Sequence, residues 1–329
     1  MKSYKIIKLK MAGIFLACLA ISLNPAKSLA LNEPYRPAYV AFGDSLTTGS
    51  SNKTCVSDRK RSPWGCLETF TPAMPYPDRV ARALKLSYGI SPTEYPIKGS
   101  YNSKLRLYRA GIWGYSVHEA VEAQKNGRNA EGDWLTQLDA IEQATQLVTG
   151  SLGINDIGFS NVGKWARLYM KPGGDHVGKA VNDILAQRES DFDKLFASLQ
   201  KAKQQGAYVV LGLYYNPYDS IDGQCKDLKI IGNRIVDTLN DEIFKRARAN
   251  GMQTADFRPY FRGHGSGSQA PYVFGTQCSL SSAIATLMPT WLGGGGGKAA
   301  LSVAFDPHPN NNGTEVMARV ILEAVNGAD

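Results

Sequence analysis

The chain of 329 residues contains 43% hydrophobic and 20% charged residues, a composition typical of a folded globular protein. Its formal net charge is +8, but five lysines and no acidic residue lie in residues 1–30, so the remainder carries only +3. A nucleic-acid-binding protein more often has a concentrated basic face, and we therefore expect no nucleic-acid partner.

Residues 1–30 have the pattern of a cleavable export signal. Several lysines precede an apolar stretch from Met11 to Leu23, and Ser28-Leu29-Ala30 provides the small residues that a signal peptidase requires. The apolar stretch is shorter than the roughly 20 residues of a membrane-spanning helix. We therefore predict a single mature domain over residues 31–329, secreted or periplasmic, monomeric and without a stable membrane span.

Strand-like and helical patterns alternate along the predicted mature chain. Short apolar runs predict strands at residues 37–42, 146–152, 207–215 and 252–257. Amphipathic patterns predict helices at residues 73–85, 117–124, 134–142, 177–204, 228–250 and 314–325. This order predicts a parallel sheet with helices on both faces, in which ligands bind beyond the carboxyl ends of the strands.

The first predicted strand ends in Gly43-Asp44-Ser45-Leu46. A turn at this point would expose the Ser45 hydroxyl, and a neighbouring base would make that hydroxyl nucleophilic. On its own, the tetrapeptide favours an ordinary turn serine or helix cap, because Ser and Asp are common in both places. The catalytic interpretation therefore depends on what the other strand ends contribute.

Two further glycine-containing turns lie where the same sheet edge is expected. The second predicted strand runs into Gly150–Asp156, in which the Asn155 carboxamide can donate to a developing oxyanion. Before it in the chain, Ala110–Ser116 forms a turn that leads into a helix, and its glycines allow a backbone N–H to approach a substrate oxygen closely. Both turns predict hydrogen-bond donors beside Ser45.

A candidate base lies near the C-terminus, in Phe305-Asp306-Pro307-His308-Pro309-Asn310. A loop of this kind can present the His308 imidazole to a serine while the Asp306 carboxylate steadies it. The chain has three other histidines, which we interpret as ordinary surface or packing residues: His118, His176 and His264.

Together these four segments resemble the SGNH subgroup of the GDSL lipase and esterase family, whose sequence blocks occur in the same order. The resemblance extends from about Tyr39 to the C-terminal helix, although the intervening stretches match only in the order of elements. It implies a flavodoxin-like three-layer α/β/α sandwich around a central five-stranded parallel sheet. It also implies a carboxylic ester hydrolase that works without a metal or cofactor.

The resemblance assigns a role to each site residue. The nucleophile falls on Ser45, the oxyanion-hole glycine on Gly114, the oxyanion asparagine on Asn155, and the acid and base on Asp306 and His308. The Gly-x-x-Gly-x-Ser spacing selects Gly114 for the glycine, and Gly111 is the second choice. The family often has two residues between acid and base, whereas here only Pro307 intervenes, so a main-chain carbonyl could orient the imidazole instead of Asp306.

Four cysteines remain after removal of the predicted signal with Cys18, an even number that suits an oxidising compartment. We favour disulfides Cys55–Cys66 and Cys225–Cys278 among the three possible pairings. A zinc site is disfavoured, since no Cys-x-x-Cys occurs and no histidine lies at ligand spacing from a cysteine.

The expected activity is hydrolysis of an ester of a small molecule, lipid or acylated sugar through an acyl-enzyme on Ser45. Within the same family, a carbohydrate O-deacetylase is the alternative to a lipase or carboxylesterase. An exported binding protein with an inactive site is a further alternative, although the joint presence of Ser45, Asn155 and His308 argues against it. The loops at residues 50–77 and 258–305 are long enough to cover the cleft.

Overall fold

The computed structural model describes residues 37–49, 74–85, 101–102, 107–127, 136–221, 226–265, 268–273 and 308–327. Several predictions concern residues outside these ranges. They are the export signal, the candidate acid Asp306 and all four cysteines of the predicted disulfides (Cys55, Cys66, Cys225 and Cys278).

Six strands form one sheet, in the order β2-β3-β1-β4-β5-β6. Their bounds are β1 Tyr39–Gly43, β2 Tyr101–Asn102, β3 Leu107–Arg109, β4 Leu147–Ser151, β5 Tyr208–Leu213 and β6 Gln253–Asp256. All neighbouring pairs are parallel except β2 with β3, which is antiparallel at the edge. The five parallel strands alone have the flavodoxin-like order 2-1-3-4-5, so the predicted five-stranded parallel sheet is confirmed.

Eleven helices are described between and after these strands. They are α1 Ser45–Thr48, α2 Tyr76–Ala83, α3 Val117–Lys125, α4 Gln137–Gln143, α5 Ile154–Ile157, α6 Val162–Tyr169, α7 His176–Gln187, α8 Glu189–Gln204, α9 Lys226–Ala249, α10 Arg258–Phe261 and α11 Asn311–Asn326. Helix α11 packs on α2 and on strands β5 and β6, whereas α4 packs on β1 and α8. The helices cover both faces of the sheet, as the alternation of elements predicted.

The central strands are buried because both faces of the sheet are covered by helices. Every residue of β1 and β4 is buried, and β5 is buried from Val209 to Leu213. This agrees with the nearly unbroken apolar run of β5, since a strand covered on both sides cannot alternate with polar residues. Polar side chains in this layer have hydrogen-bond partners: the Tyr39 and Thr149 hydroxyls lie 2.6 Å apart, and the Ser151 hydroxyl donates to the Gly212 carbonyl at 2.8 Å.

Two parts of the predicted element order were wrong. The single helix predicted at residues 177–204 is two helices, because the chain bends at Arg188, whose φ of −101° and ψ of 5° are not helical. The prediction also lacked β2, β3 and α6. Strand β3 has only three residues, too few for a strand period to be recognised.

Candidate active site

The turn after β1 presents Ser45 at the carboxyl edge of the sheet. Gly43 has a φ of +129°, and a Cβ there would lie 2.5 Å from the Ser151 carbonyl oxygen, so only glycine allows this approach of β1 to β4. Ser45 is the first residue of α1 and is partly exposed. Neither its hydroxyl nor its N–H bonds to another group in the described part of the chain, which leaves both available to a ligand.

Asp44, immediately before Ser45, is a completely buried carboxylate. One oxygen accepts the Leu46 N–H at 2.9 Å, and the other accepts the Tyr214 hydroxyl at 2.8 Å. Burial raises the pKa of the Asp44 carboxyl from 3.8 to about 6, while these hydrogen bonds and the charge of His308 oppose the rise. The electrostatic interaction indicates that the His308 ring lies near the start of α1.

The turn after β3 separates the two candidate oxyanion glycines. Gly111 is buried, its N–H donates to the Ala41 carbonyl at 3.2 Å, and a Cβ there would lie 2.8 Å from the Thr47 side chain. Gly114 is exposed, has a φ of +74° and faces open space. Its N–H donates to no described group. The geometry therefore favours Gly114 as a ligand donor and gives Gly111 a packing role.

The segment after β4 carries Asn155 on the short helix α5. The Asn155 carboxamide donates one N–H to the Tyr115 carbonyl at 2.9 Å, which joins this segment to the turn that contains Gly114. An amide nitrogen has two N–H groups, so the second can serve a ligand. The turn itself is tied to the end of β1, because the Ile112 N–H donates to the Gly43 carbonyl at 2.9 Å.

The His308 imidazole lies at the N-terminal approach to α11 and is only 7% exposed. Its loop is held by the segment 271–273: Val273 and Pro309 form an isolated bridge, and the Asn310 N–H donates to the Tyr272 carbonyl at 2.8 Å. The Asn310 side chain caps α11 and also donates to the Pro271 carbonyl at 2.6 Å. Asp306 lies outside the described residues, so its contact with His308 stays a prediction.

Three of the sequence-predicted residues thus follow the carboxyl ends of neighbouring strands. Ser45 follows β1, Asn155 follows the neighbouring strand β4, and Gly114 follows β3 on the other side of β1. His308 acts electrostatically on the residue before Ser45. This is the edge at which parallel α/β sheets bind ligands.

The other three histidines have structural partners. The Nδ1 atom of His118 lies 2.9 Å from an Asp191 oxygen, and the Nε2 atom of His176 lies 3.0 Å from the Pro172 carbonyl. His264 stacks on the ring of Tyr272 with centroids 4.0 Å apart, so it supports the segment that holds the His308 loop. These contacts agree with packing or surface roles.

Residues that sequence reasoning missed are Tyr214 and Asn310. Tyr214 lies 170 positions from the Asp44 carboxylate that it contacts, and no local pattern predicts such a pair. Asn310 carried a signal, because an asparagine immediately before a helix is a common cap. Its second contact, with Pro271, depends on tertiary structure.

In the described ranges, no group of three or more histidine, cysteine and acidic side chains is placed to bind a metal ion. Within the same ranges, no helix combines the length and the apolar character needed to cross a bilayer.

Comparison with known proteins finds relatives only at the level of structure. No family model matches the sequence, and no curated protein matches it. An extracellular lipase from Streptomyces rimosus superposes with a TM-score of 0.51 at 20% identity, covering 87% of this chain and 98% of that one. Phospholipase A1 from Streptomyces albidoflavus NA297 gives 0.50 at 19% identity, with coverages of 88% and 99%.

At this level of identity the likeness concerns the fold. The chain has the α/β/α fold of these two proteins, over nearly their whole length. The fold class expected from the SGNH resemblance is therefore confirmed. The activity of this chain has to be inferred from its own site.

Proposed function

We propose that the protein is a serine ester hydrolase in which Ser45 is the nucleophile and His308 the general base. The observation that carries the proposal is the arrangement at the carboxyl edge of the sheet. A serine without internal hydrogen bonds in the described residues follows β1, and candidate donors follow β3 and β4 on either side. The two similar structures, a lipase and a phospholipase A1, support an ester as the substrate.

In the first step, the imidazole of His308 accepts the proton of the Ser45 hydroxyl as the oxygen attacks the ester carbonyl carbon. The tetrahedral intermediate then collapses, and the imidazolium returns the proton to the leaving alcohol. In the second step, His308 takes a proton from a water molecule as that water attacks the acyl-enzyme; the imidazolium then returns the proton to the departing Ser45 oxygen, and the acid is released. Since the imidazole must be neutral to accept a proton, hydrolysis should decline in acid.

The negative charge of the intermediate needs donors at the carbonyl oxygen. We assign this role to the N–H groups of Ser45 and Gly114 and to the free N–H of the Asn155 carboxamide. Both backbone N–H groups lack a partner in the described residues, which supports the assignment. Fixed donors are effective because they need no reorganisation when the charge develops.

His308 needs a partner that holds its ring while the imidazolium forms. We propose that Asp306 or a main-chain carbonyl of its loop supplies this contact. The buried Asp44 carboxylate adds a negative charge close to the imidazole, as its electrostatic coupling with His308 supports. The Asp44 oxygens also accept hydrogen bonds from the Leu46 N–H and the Tyr214 hydroxyl.

Around this centre we propose a single exported domain over residues 31–329, with an export signal at residues 1–30 and disulfides Cys55–Cys66 and Cys225–Cys278. The proposed activity is that of a monomeric lipase or carboxylesterase. Carbohydrate O-deacetylation remains the alternative, and the choice between them rests on substrate preference.

The deciding experiment is a hydrolysis panel of short-chain to long-chain acyl esters together with acetylated sugars. Wild type and Ser45→Ala are compared, with thermal unfolding as a control for folding. We expect the wild type to hydrolyse at least one ester class and Ser45→Ala to lose that activity. Preference for long chains, short chains or acetylated sugars identifies a lipase, a carboxylesterase or a deacetylase respectively. Equal hydrolysis by both proteins would overturn the role of Ser45.

A further inference from the structure

Asp156 is a buried carboxylate beside the candidate site. It takes no part in any step of the proposed reaction. Its side chain is completely inaccessible to solvent. One oxygen accepts the Val117 N–H at 2.7 Å, and the other accepts the His118 N–H at 3.2 Å. The cation nearest to it, Arg188, lies 3.9 Å away and is itself 37% exposed. The carboxylate therefore binds mainly to backbone N–H groups.

These N–H groups are the first two of α3, which begins directly after the turn that contains Gly114. The third N–H of the helix, that of Glu119, donates to the Ser116 hydroxyl at 3.1 Å in a capping box. The first turn of α3 thus has a partner for each of its first three N–H groups. Removal of the Asp156 carboxylate leaves two of them without a partner.

Asn155, the residue before Asp156, also bonds to the turn that contains Gly114. Asn155 donates to the Tyr115 carbonyl at 2.9 Å, one residue after Gly114. Two adjacent residues of α5 therefore hold the chain on the C-terminal side of Gly114. The other side is held at Ile112 by the end of β1. Gly114 lies between these anchors with a left-handed φ of +74°, a conformation that glycine adopts readily.

We propose that Asp156 is a positioning residue for the oxyanion donors. Its carboxylate fixes the first turn of α3 and so sets the distance between the Gly114 N–H and the Asn155 carboxamide. The inference rests on the proposed function, because it concerns the same oxyanion site. Donors that shift by a fraction of an ångström bind the ground state almost equally well but lose their fit to the transition state.

The test is Asp156→Asn, measured on the best ester of the hydrolysis panel. We expect kcat to fall by about 10- to 100-fold, while KM changes by less than about threefold, since misplaced donors affect the transition state more than substrate binding. If this variant does not fold, Asp156→Glu keeps both oxygens but displaces them by one methylene, and the same loss is expected. A folded variant with unchanged kcat would overturn the proposal.

Two control variants separate positioning from general stability. Asp175→Asn is the same chemical change at another helix cap that also pairs with an arginine: Asp175 accepts the Gly178 N–H at 2.9 Å and lies 2.8 Å from Arg234, and asparagine keeps one acceptor oxygen but loses the charge. Arg188→Met removes the cation beside Asp156 without changing the amide contacts. We expect both to keep kcat within about threefold of the wild type, because neither reaches the turn.

A double-mutant cycle with Asn155→Ala gives a readout that a purely structural role would not change. If Asp156 acts through the oxyanion donors, its substitution should cost much less in the Asn155→Ala background than in the wild type. Equal losses in both backgrounds would contradict the proposal.

Hydrogen exchange of residues 112–118 supplies a readout that does not require activity. We expect faster exchange in Asp156→Asn and wild-type exchange in Asp175→Asn, because only the former loses the anchor of this turn. Unchanged exchange would overturn the positioning role. Failure of the proposed function has a different signature, namely a wild type that hydrolyses no ester or a Ser45→Ala variant that is equally active.

Discussion

The donors and the base of the candidate site are held in different ways. The donor side consists of strand ends and short helices joined by backbone and carboxamide bonds, such as Ile112 to Gly43 and Asn155 to Tyr115. The base side is a loop before α11, held by the segment 271–273 and by the side chain of Asn310. The sheet and buried side-chain bonds thus fix the donors together, whereas contacts with one short segment fix the position of the base.

The donors and the base should therefore lose their positions for different reasons. Donor positions follow from the register of the central strands together with buried local anchors, such as the Asp156 carboxylate on the first turn of α3. The position of His308 depends on local contacts that a single substitution can remove. Activity should therefore be sensitive to the chemistry of the donor side and to the anchoring of the base side.

Substitution of the nucleophile should have the largest effect. Ser45→Ala should lower kcat by about 10⁴-fold or more, because no other group can form the acyl-enzyme. Its unfolding midpoint should stay close to that of the wild type, since the hydroxyl makes no hydrogen bond within the described residues. A serine-to-alanine change at Ser198, which bonds to Glu142, is the control and should leave kcat unchanged.

Loss of the carboxamide donor should come next. Asn155→Ala should lower kcat by about 10²- to 10³-fold with little change in KM, as found for other oxyanion side chains. Asn161→Ala on the following helix is the matched control, because Asn161 only caps α6 through the Lys164 N–H. Similar losses in both variants would mean that stability, rather than the oxyanion, is affected.

Asp44 gives a prediction about pH and stability. Its folded-state pKa of about 6 lies above the ordinary 3.8, so the folded state holds the proton more tightly than the unfolded chain. Relative to Asp44→Asn, wild type should therefore become less stable as the pH rises from 4 to above 6. Two pKa units at 1.36 kcal/mol each give about 3 kcal/mol.

Urea unfolding of both proteins at pH 4.5 and 7.5 measures about 2 kcal/mol of this effect, because an unfolded Asp44 with a pKa of 3.8 is already largely ionised at pH 4.5. The asparagine keeps an oxygen for the Leu46 N–H but loses the acceptor of the Tyr214 hydroxyl at every pH, so the charge is measured by the pH-dependent part of the difference. A difference in unfolding free energy that does not change with pH would show that the buried charge carries no such penalty.

The anchoring of the base loop should give the smallest effect. Asn310→Ala should reduce kcat by about tenfold and the unfolding free energy by about 1 kcal/mol, the usual cost of a lost helix cap. Asn310→Asp keeps the acceptor for the Gly313 N–H but loses the donor to the Pro271 carbonyl. If the Pro271 bond positions the base, Asn310→Asp should lower kcat without the stability loss.

Sequence reasoning predicted the sheet well where strands were long and apolar. The runs at β1, β4 and β5 were recognised because burial on both faces requires continuous apolar residues. The three-residue strand β3 was missed, and the bend at Arg188 was not seen, because the amphipathic pattern continues through it. Such features are set by packing against neighbours.

At the site, the sequence predicted functional residues that lie in local motifs. It did not predict contacts between residues that are far apart in the chain. Ser45 and Asn155 could be predicted because each is a polar residue that closely follows a buried strand. A polar side chain there serves either a turn or helix cap or a site at the sheet edge. The contacts of Asp44 with Tyr214 and of Asn310 with Pro271 join segments far apart in the chain. The sequence held no signal for either pair, and the orienting role of Asp306 stays a prediction.

The convergence of Ser45 and His308 is tested most directly by mapping the adduct of a serine-directed alkyl phosphonate. We predict one adduct on Ser45 in the wild type, none in Ser45→Ala and much slower labelling of folded His308→Ala, because the reagent needs a serine activated by its base. Labelling of a different residue, or equal labelling rates in the wild type and His308→Ala, would contradict this account of the site.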